Sequence, residues 1–386
     1  MFRNRQLMAV VSGHFMIDVL NSTGAVFLAV LAVPFELSNA QIATALTIYL
    51  LIGSLSQPLF GLLADRLQGK TLLLAGIGVA WMGFFYTMVA LAPNWTLLLP
   101  MFLLAPLGSG LFHPVGTSSA ALAEPDRASS ATAIFFFGGQ VGMALGPFVT
   151  GYLTGRFYGL GLLPMALLAF APAVMLIVSG LHQRGLVQHA SSAHSKKSVV
   201  TMAMWLIIAF VVLVAVRSSI QAIYQAFLPK LFSDRGWDPT MFGLLAGVFM
   251  GAGAIGQIVT GNLADRFGMR QAIIWPLLLS VPAGLVCFLS ASIWVIFASG
   301  IVTGFLIGGQ HSVLVVHAQR LLPVKQSFAA GLILGFTFAS GTLGTWLAGQ
   351  FADQVGLQNV MVAVTLLGIP AAALAVTLPG TRRRNG

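Results

Sequence analysis

Apolar runs long enough to cross a bilayer follow one another along almost the whole of this chain, and very few charged side chains interrupt them. A membrane-spanning helix needs about 20 mostly apolar residues, so 386 residues leave room for twelve such helices and short connectors, with no stretch over for a sizeable soluble domain. Composition points the same way: 58% of residues are hydrophobic and 7% charged, against about 25% charged in ordinary soluble domains. The chain is therefore expected to be an all-α membrane protein whose function is transport, conduction or an intramembrane site.

The formal charge of +10 is no sign of a nucleic-acid partner, because the basic residues stand singly between apolar runs and form no stripe. The single cysteine, Cys287, has no internal partner for a disulfide. Arg3 and Arg5 precede the first apolar run as in a secretory signal. That run, however, continues to about Val33, carries His14, Asp18 and Asn21, and lacks a small-residue cleavage pattern, so it is read as the first span.

Boundaries marked by charges, Gly/Pro and Ser/Asn predict twelve spans near 7–33, 39–64, 71–92, 95–122, 129–155, 158–181, 199–229, 239–264, 271–290, 293–319, 326–352 and 357–379. One polar, basic, Ser- and His-rich stretch, 182–198, reads as a cytoplasmic linker between an N-terminal six-helix bundle, 1–181, and a C-terminal one, 199–386. With both termini inside, fifteen of the 19 Lys and Arg fall on the cytoplasmic side; Arg156, Lys230 and Arg235 fall outside and Arg217 within a span. The positive-inside bias thus predicts cytoplasmic termini in a plasma (inner) membrane.

The two halves echo one another. QPLFGLLADR at 57–66 matches QIVTGNLADR at 257–266, and His113/His311, Pro125/Pro323, Gly146/Gly344 and Gly151/Gly349 repeat at nearly the same offset. Parallel repeats of this kind are expected in a transporter built from two pseudo-symmetric bundles around a midplane site.

GLLADRLQGK at 61–70 and GNLADRFGMR at 261–270 resemble the loop between the second and third helices that marks the major facilitator superfamily, although Gln68 and Gly69 depart from its pattern in the first copy. The resemblance implies gating roles for Asp65, Arg66, Asp265 and Arg266. Within that superfamily the chain is most similar to the fosmidomycin-resistance type of efflux protein, on GHFMIDVLNS (13–22), GSGLFHPVGTSSAA (108–121), GGQVGMALGP (138–147), VVHAQRLLP (315–323) and LGFTFASGTLG (334–344). GQVGMALGP also resembles the antiporter signature of drug exporters. Its glycines, Gly138, Gly139, Gly142 and Gly146, lie at roughly helical spacing and favour close helix packing, and Pro147 is expected to kink the helix.

Ionisable groups inside a span are costly and face a cavity or a partner. His14, Asp18 and Asn21 share one face of span 1; Arg217, Gln221 and Tyr224, followed by Gln225, repeat the spacing in span 7; His113 lies in span 4, and Gln310 and His311 in span 10. The family resemblance implies that helices 1, 4, 7 and 10 line the cavity. Asp18 is the one acid well inside a span and the expected proton-coupling group, with His14 as partner or relay; the alternative is a fixed Asp–His or Asp18–Arg217 pair that locks the helices. Arg217 offers a planar fork for carboxylate, phosphate or phosphonate, or else neutralises Asp18. Asn21, His113, Arg217, Gln221, Tyr224, Gln225, Gln310 and His311 are the expected substrate contacts, although His113 and Pro114 together also suit capping of backbone carbonyls.

Gln57, Gln140, Gln257 and Gln350 are expected to bond between helices. The linker histidines His182, His189 and His194 have no ligand spacing, so no metal site is expected. Neither a P-loop nor an HExxH or nucleophile-elbow motif is present, so no ATP, other cofactor or enzymatic activity is expected. The reading that follows is proton-coupled export of a small drug-like or anionic compound by alternating access, by a monomer whose partners are that small molecule, protons and the lipid bilayer. Proton-driven uptake of an organic acid, or a non-transporting receptor on a transporter fold, is the alternative.

Overall fold

The computed structural model describes residues 4–67, 70–181, 204–310, 313–314 and 326–378; side chains of 65, 128–130 and 326–334 also fall outside the described set. The described residues are almost entirely helical and contain no strand, as a bilayer requires of a single-chain helical fold in which every backbone N–H must find an internal acceptor. The linker 182–198 and His311 lie outside the described residues.

In chain order the helices are α1 (Arg5–Asn21), α2 (Gly24–Leu31), α3 (Asn39–Arg66), α4 (Thr71–Leu91), α5 (Trp95–Leu104), α6 (Pro106–Ala123), α7 (Ala128–Phe157), α8 (Leu163–Leu168) and α9 (Phe170–Leu181). They continue with α10 (Met204–Asp234), α11 (Pro239–Phe267), α12 (Met269–Leu289), α13 (Ile293–Gly308), α14 (Gln326–Val355), α15 (Leu357–Leu366) and α16 (Gly368–Val376). Nine segments among the described residues are long and apolar enough to cross a membrane. Several expected spans are broken by a residue or two. The first pauses at Ser22 and Thr23, whose hydroxyls donate to the carbonyls of Val19 and Leu20 and compete with the helical ladder. By contrast α7 runs unbroken through Pro147.

The chain divides into two compact units: residues 1–37, 45–192 and 232–247, and residues 38–44, 193–231 and 248–386. In the first unit α1 is the central element and packs on α4, α6, α7 and α9. Asn4 starts it, accepting from the Leu7 N–H while its amide donates to the Ala123 carbonyl and the Glu124 carboxylate at the end of α6. The glycine stripe of α7 lies along α1. A Cβ on Gly138 would stand 2.8 Å from Val11 Cγ1, and one on Gly142 or Gly146 would strike the backbone of Phe15 or Val19. The second unit repeats the device, with Gly341 and Gly344 of α14 lying on Ser218, Ser219 and Ala222 of α10. In lipid, where apolar burial drives little association, such close backbone approach is a main source of helix adhesion.

Large apolar side chains cover the outside. Trp275, Leu279 and Val286 of α12 are exposed, whereas Ile273, Leu277 and Phe288 of the same helix are buried. A protein in water would bury both faces or make one polar; here the exposed face is the lipid-facing one.

Candidate functional site: a buried carboxylate between two histidines

In the first unit α1 and α6 bring four of the expected residues together, His14, Asp18, Asn21 and His113. Asp18 is 9% exposed. Its Oδ2 lies 3.2 Å from His14 Nε2, one turn back on α1, and its Oδ1 lies 3.6 Å from His113 Nε2 on α6. Asn21, a turn further on, donates from Nδ2 to Asp18 Oδ1 at 3.1 Å and to Ser109 Oγ at 3.0 Å.

The other nitrogen of each imidazole is tied to backbone. His14 Nδ1 is 2.8 Å from the Phe135 carbonyl, and its ring stacks on that of Phe135 at 3.9 Å between centroids. His113 Nδ1 is 2.9 Å from the Ser109 carbonyl and 3.2 Å from the Ser109 hydroxyl. A carbonyl only accepts, so each Nδ1 carries a hydrogen, and in a neutral ring each Nε2 presents a lone pair to the carboxylate. His113 thus binds a carbonyl of its own helix through one ring nitrogen and faces Asp18 with the other.

Behind Asn21 the polar chain continues. Its Oδ1 accepts from Tyr49 of α3 at 3.1 Å, the Tyr49 hydroxyl is 3.2 Å from that of Tyr86 of α4, and Tyr86 donates to the Leu20 carbonyl at 2.7 Å. Tyr49, Tyr86 and Ser109 were not expected at the site. The available signal was that the chain has only five tyrosines and places these two inside apolar runs. Gly139 of α7 closes the back wall: a Cβ there would lie 2.6 Å from Asp18 Oδ2 and from the His14 ring. The glycines of the antiporter-like segment thus pack on the helix that carries the site.

In front of His113 lies a cavity of about 550 Å³, lined by Gln57, His113, Thr117, Ser118, Thr132 and Phe136 among others. It is wide enough for a small organic molecule, which typical pockets of about 300–1,000 Å³ accommodate. Gln140, by contrast, is exposed.

The expected residues of the second unit do not assemble into a comparable cluster among the described residues. Arg217, in mid-α10, is fully buried; one guanidinium nitrogen, Nη2, donates to the Ile307 carbonyl, while Nε and Nη1 have no hydrogen-bond partner among the described residues. Gln310 is also fully buried, with Nε2 donating to the Leu306 carbonyl at 3.1 Å and Oε1 without a hydrogen-bond partner among the described residues. Gln221 and Gln225 are half-buried. Tyr224 is committed to the packing of its unit: its hydroxyl donates to Thr365 Oγ1 at 2.7 Å and its ring packs edge-on to Phe249 and Phe288. Arg66, Asp265 and Arg266 are exposed at the ends of α3 and α11, and Asp65 occupies the last turn of α3. After α11, Gly268 takes a φ of 92°, a left-handed turn that favours glycine, and α12 begins at the next residue.

The profile of the Major Facilitator Superfamily matches residues 10–224 and 210–386. The chain belongs to that superfamily. Its curated relatives include the Fosmidomycin resistance protein of Escherichia coli (strain K12), 26% identical over 98% of this chain and 93% of that one. They also include the Uncharacterized MFS-type transporter YfnC of Bacillus subtilis (strain 168), 25% identical over 96% and 91%. Among solved structures, a bacterial homologue of the human lysosomal transporter Spinster, inward-facing and occupied, superposes with a TM-score of 0.81 at 16% identity, covering 96% of this chain and 95% of that one. The superfamily member is thus a multi-pass membrane transporter with an all-α fold, and not an enzyme.

Proposed function

We propose that this transporter is a proton-coupled exporter that exchanges protons for a small drug-like or anionic compound by alternating access. The observation that carries the reading is the buried Asp18 carboxylate held between His14 Nε2 and His113 Nε2, with His113 also lining a cavity. With both Nδ1 hydrogens given to carbonyls, these contacts are attractive only when protons occupy the cluster. Cargo entering past His113 competes for the same polar groups, and occupancy by proton or by cargo favours different conformations, which is the requirement for coupling.

Export is supported by the likeness to the Fosmidomycin resistance protein over nearly the full length of both chains. An anionic group on the cargo is supported by Arg217, a buried cation with two guanidinium nitrogens unpartnered among the described residues, whose planar fork matches carboxylate, phosphate or phosphonate. Asn21, His113, Gln221, Gln225 and Gln310 are assigned to cargo with it, and His311 on its sequence position; Tyr224 is reassigned to packing. Asp65, Arg66, Asp265 and Arg266 are assigned to gating on the family resemblance. The 1–181 and 199–386 bundles joined by 182–198, a bacterial inner-membrane location with cytoplasmic termini, and function as a monomer complete the reading.

Flux of fosmidomycin into or out of proteoliposomes under an imposed pH gradient tests it. Gradient-driven flux by Asp18→Asn is expected to fall to the level seen without a gradient while cargo counterflow persists; a full response to the gradient would overturn the assignment. Arg217→Gln is expected to weaken cargo affinity about 10-fold or more, the loss of a charged hydrogen bond of about 1.5–3 kcal/mol, and unchanged affinity would remove the anion reading. The sign of the gradient that drives accumulation separates export from uptake.

A further inference from the structure

We infer that His14, Asp18 and His113 form a binding site for a divalent transition-metal ion of the zinc type, with its remaining coordination positions open to the cavity in front of His113. The three side chains each present a ligand atom, and these atoms all lie within 4.8 Å of one another. A zinc-type ion held at about 2.0–2.1 Å by each ligand sets neighbouring ligand atoms about 3.3–3.4 Å apart in tetrahedral geometry. The observed separations, 3.2 Å from His14 Nε2 to Asp18 Oδ2 and 3.6 Å from His113 Nε2 to Asp18 Oδ1, are close to that distance, with the carboxylate turning one oxygen to each imidazole.

Orientation is the second, independent observation. Metal-bound histidines characteristically donate their distal N–H to a carbonyl or carboxylate, which fixes the tautomer and aims the lone pair at the ion. Both histidines here do so, His14 to the Phe135 carbonyl and His113 to the Ser109 carbonyl, and the Asn21 amide secures the carboxylate from behind. Stacking on Phe135 and packing near Phe112 prevent the His14 ring from turning away. Two imidazoles and one carboxylate form a donor set suited to zinc, iron, cobalt or nickel and poorly suited to magnesium or calcium, which prefer all-oxygen shells. A site of three protein ligands is coordinatively unsaturated, and His113, which also lines the cavity, places the open positions where a solute arrives.

His14 and His113 are 99 residues apart with no ligand motif between them, so spacing places each on a polar helix face without showing that they converge on Asp18. The inference does not depend on proton coupling: a metal ion and protons are alternative occupants of the same three side chains.

The test is binding of Co²⁺, and separately of Zn²⁺, to the purified full-length protein at one fixed pH, read by the visible absorption of bound Co²⁺ and by the shift in thermal midpoint. One equivalent is expected to bind, and a variant with His182, His189 and His194 all changed to Ala is expected to retain it. His14→Ala and His113→Ala are each expected to weaken binding at least 10-fold, and Asp18→Asn likewise, whereas Mg²⁺ is expected to give no shift. Absence of a stoichiometric cobalt spectrum in the unmodified protein overturns the proposal whether or not the variants fold, as does loss of binding in the linker variant alone or affinity unchanged in His113→Ala. Failure of the proton reading appears elsewhere, as pH-driven flux that survives Asp18→Asn.

Discussion

At the scale of single residues, the carboxylate of α1 is governed by what the neighbouring helix leaves out. Gly139 has no side chain, and that absence makes the space in which Asp18 and His14 meet. Gly139→Ala adds one methyl group 2.6 Å from Asp18 Oδ2 and the His14 ring. Overpacking of this kind costs about 1–3 kcal/mol, and here it is relieved most directly by separating the pair. Gly139→Ala is therefore expected to lower the thermal midpoint in detergent and to reduce pH-gradient-driven flux at least 10-fold. Gly335→Ala, for which an added Cβ meets nothing within 4 Å among the described residues, is expected to leave both unchanged. Equal effects of the two substitutions would show that Gly139 matters only as a flexible backbone position. The face carrying His14, Asp18 and Asn21 was legible from helical spacing. The role of Gly139 was not, because a glycine pattern looks the same whether it packs against leucine or against a carboxylate.

At the scale of one element, the start of α3 shows how local and distant groups share the task of satisfying a helix end. Ser38 and Gln41 form a capping box, with the Gln41 N–H donating to Ser38 Oγ and the Ser38 N–H to Gln41 Oε1. The remaining free N–H groups, of Asn39 and Ala40, donate to the Asp353 carboxylate of α14 at 2.8 and 2.9 Å, joined by the Asn39 amide at 3.0 Å. Asp353 follows the apolar stretch of its helix and is exposed. Partial burial pushes its pKa up, but the N–H groups of Ala40 and Asn39 and the Asn39 amide outweigh that and hold it below the usual carboxylate range.

A carboxyl whose pKa is depressed on folding contributes stability above its unfolded pKa and loses it as pH falls through the folded value. Solvent screening limits the contribution to about 0.5 kcal/mol. The difference in thermal midpoint between the unmodified protein and Asp353→Asn is thus expected to be small and constant from neutral to mildly acidic pH, and to vanish below the carboxylate range. A difference that grew on acidification would contradict this capping role. The capping box could be found in the sequence; its anion, 314 residues away, could not.

At the scale of the whole molecule, the solvent around the protein decides which face of a helix tolerates change. On α12, Leu279 is 52% exposed and Leu277 fully buried. In water an arginine at the exposed position would be nearly neutral; in a bilayer it carries an insertion penalty of about 2.5–3.5 kcal/mol at mid-span. Leu279→Arg is expected to lower the yield of membrane-integrated protein several-fold, measured by fluorescence of a C-terminal fusion, whereas Leu279→Ala is expected to match the unmodified chain. The apolar runs, the repeated LADR segments and the family resemblance determined the all-α membrane fold and the superfamily, because lipid admits few backbone solutions and a duplicated gene keeps its period. Only the tertiary structure decided that His113 joins Asp18, that Tyr224 is bound to Thr365, and that Tyr49 and Tyr86 extend the polar chain. Helical periodicity places a side chain on a face, but the partner it meets there depends on how helices far apart in sequence pack together.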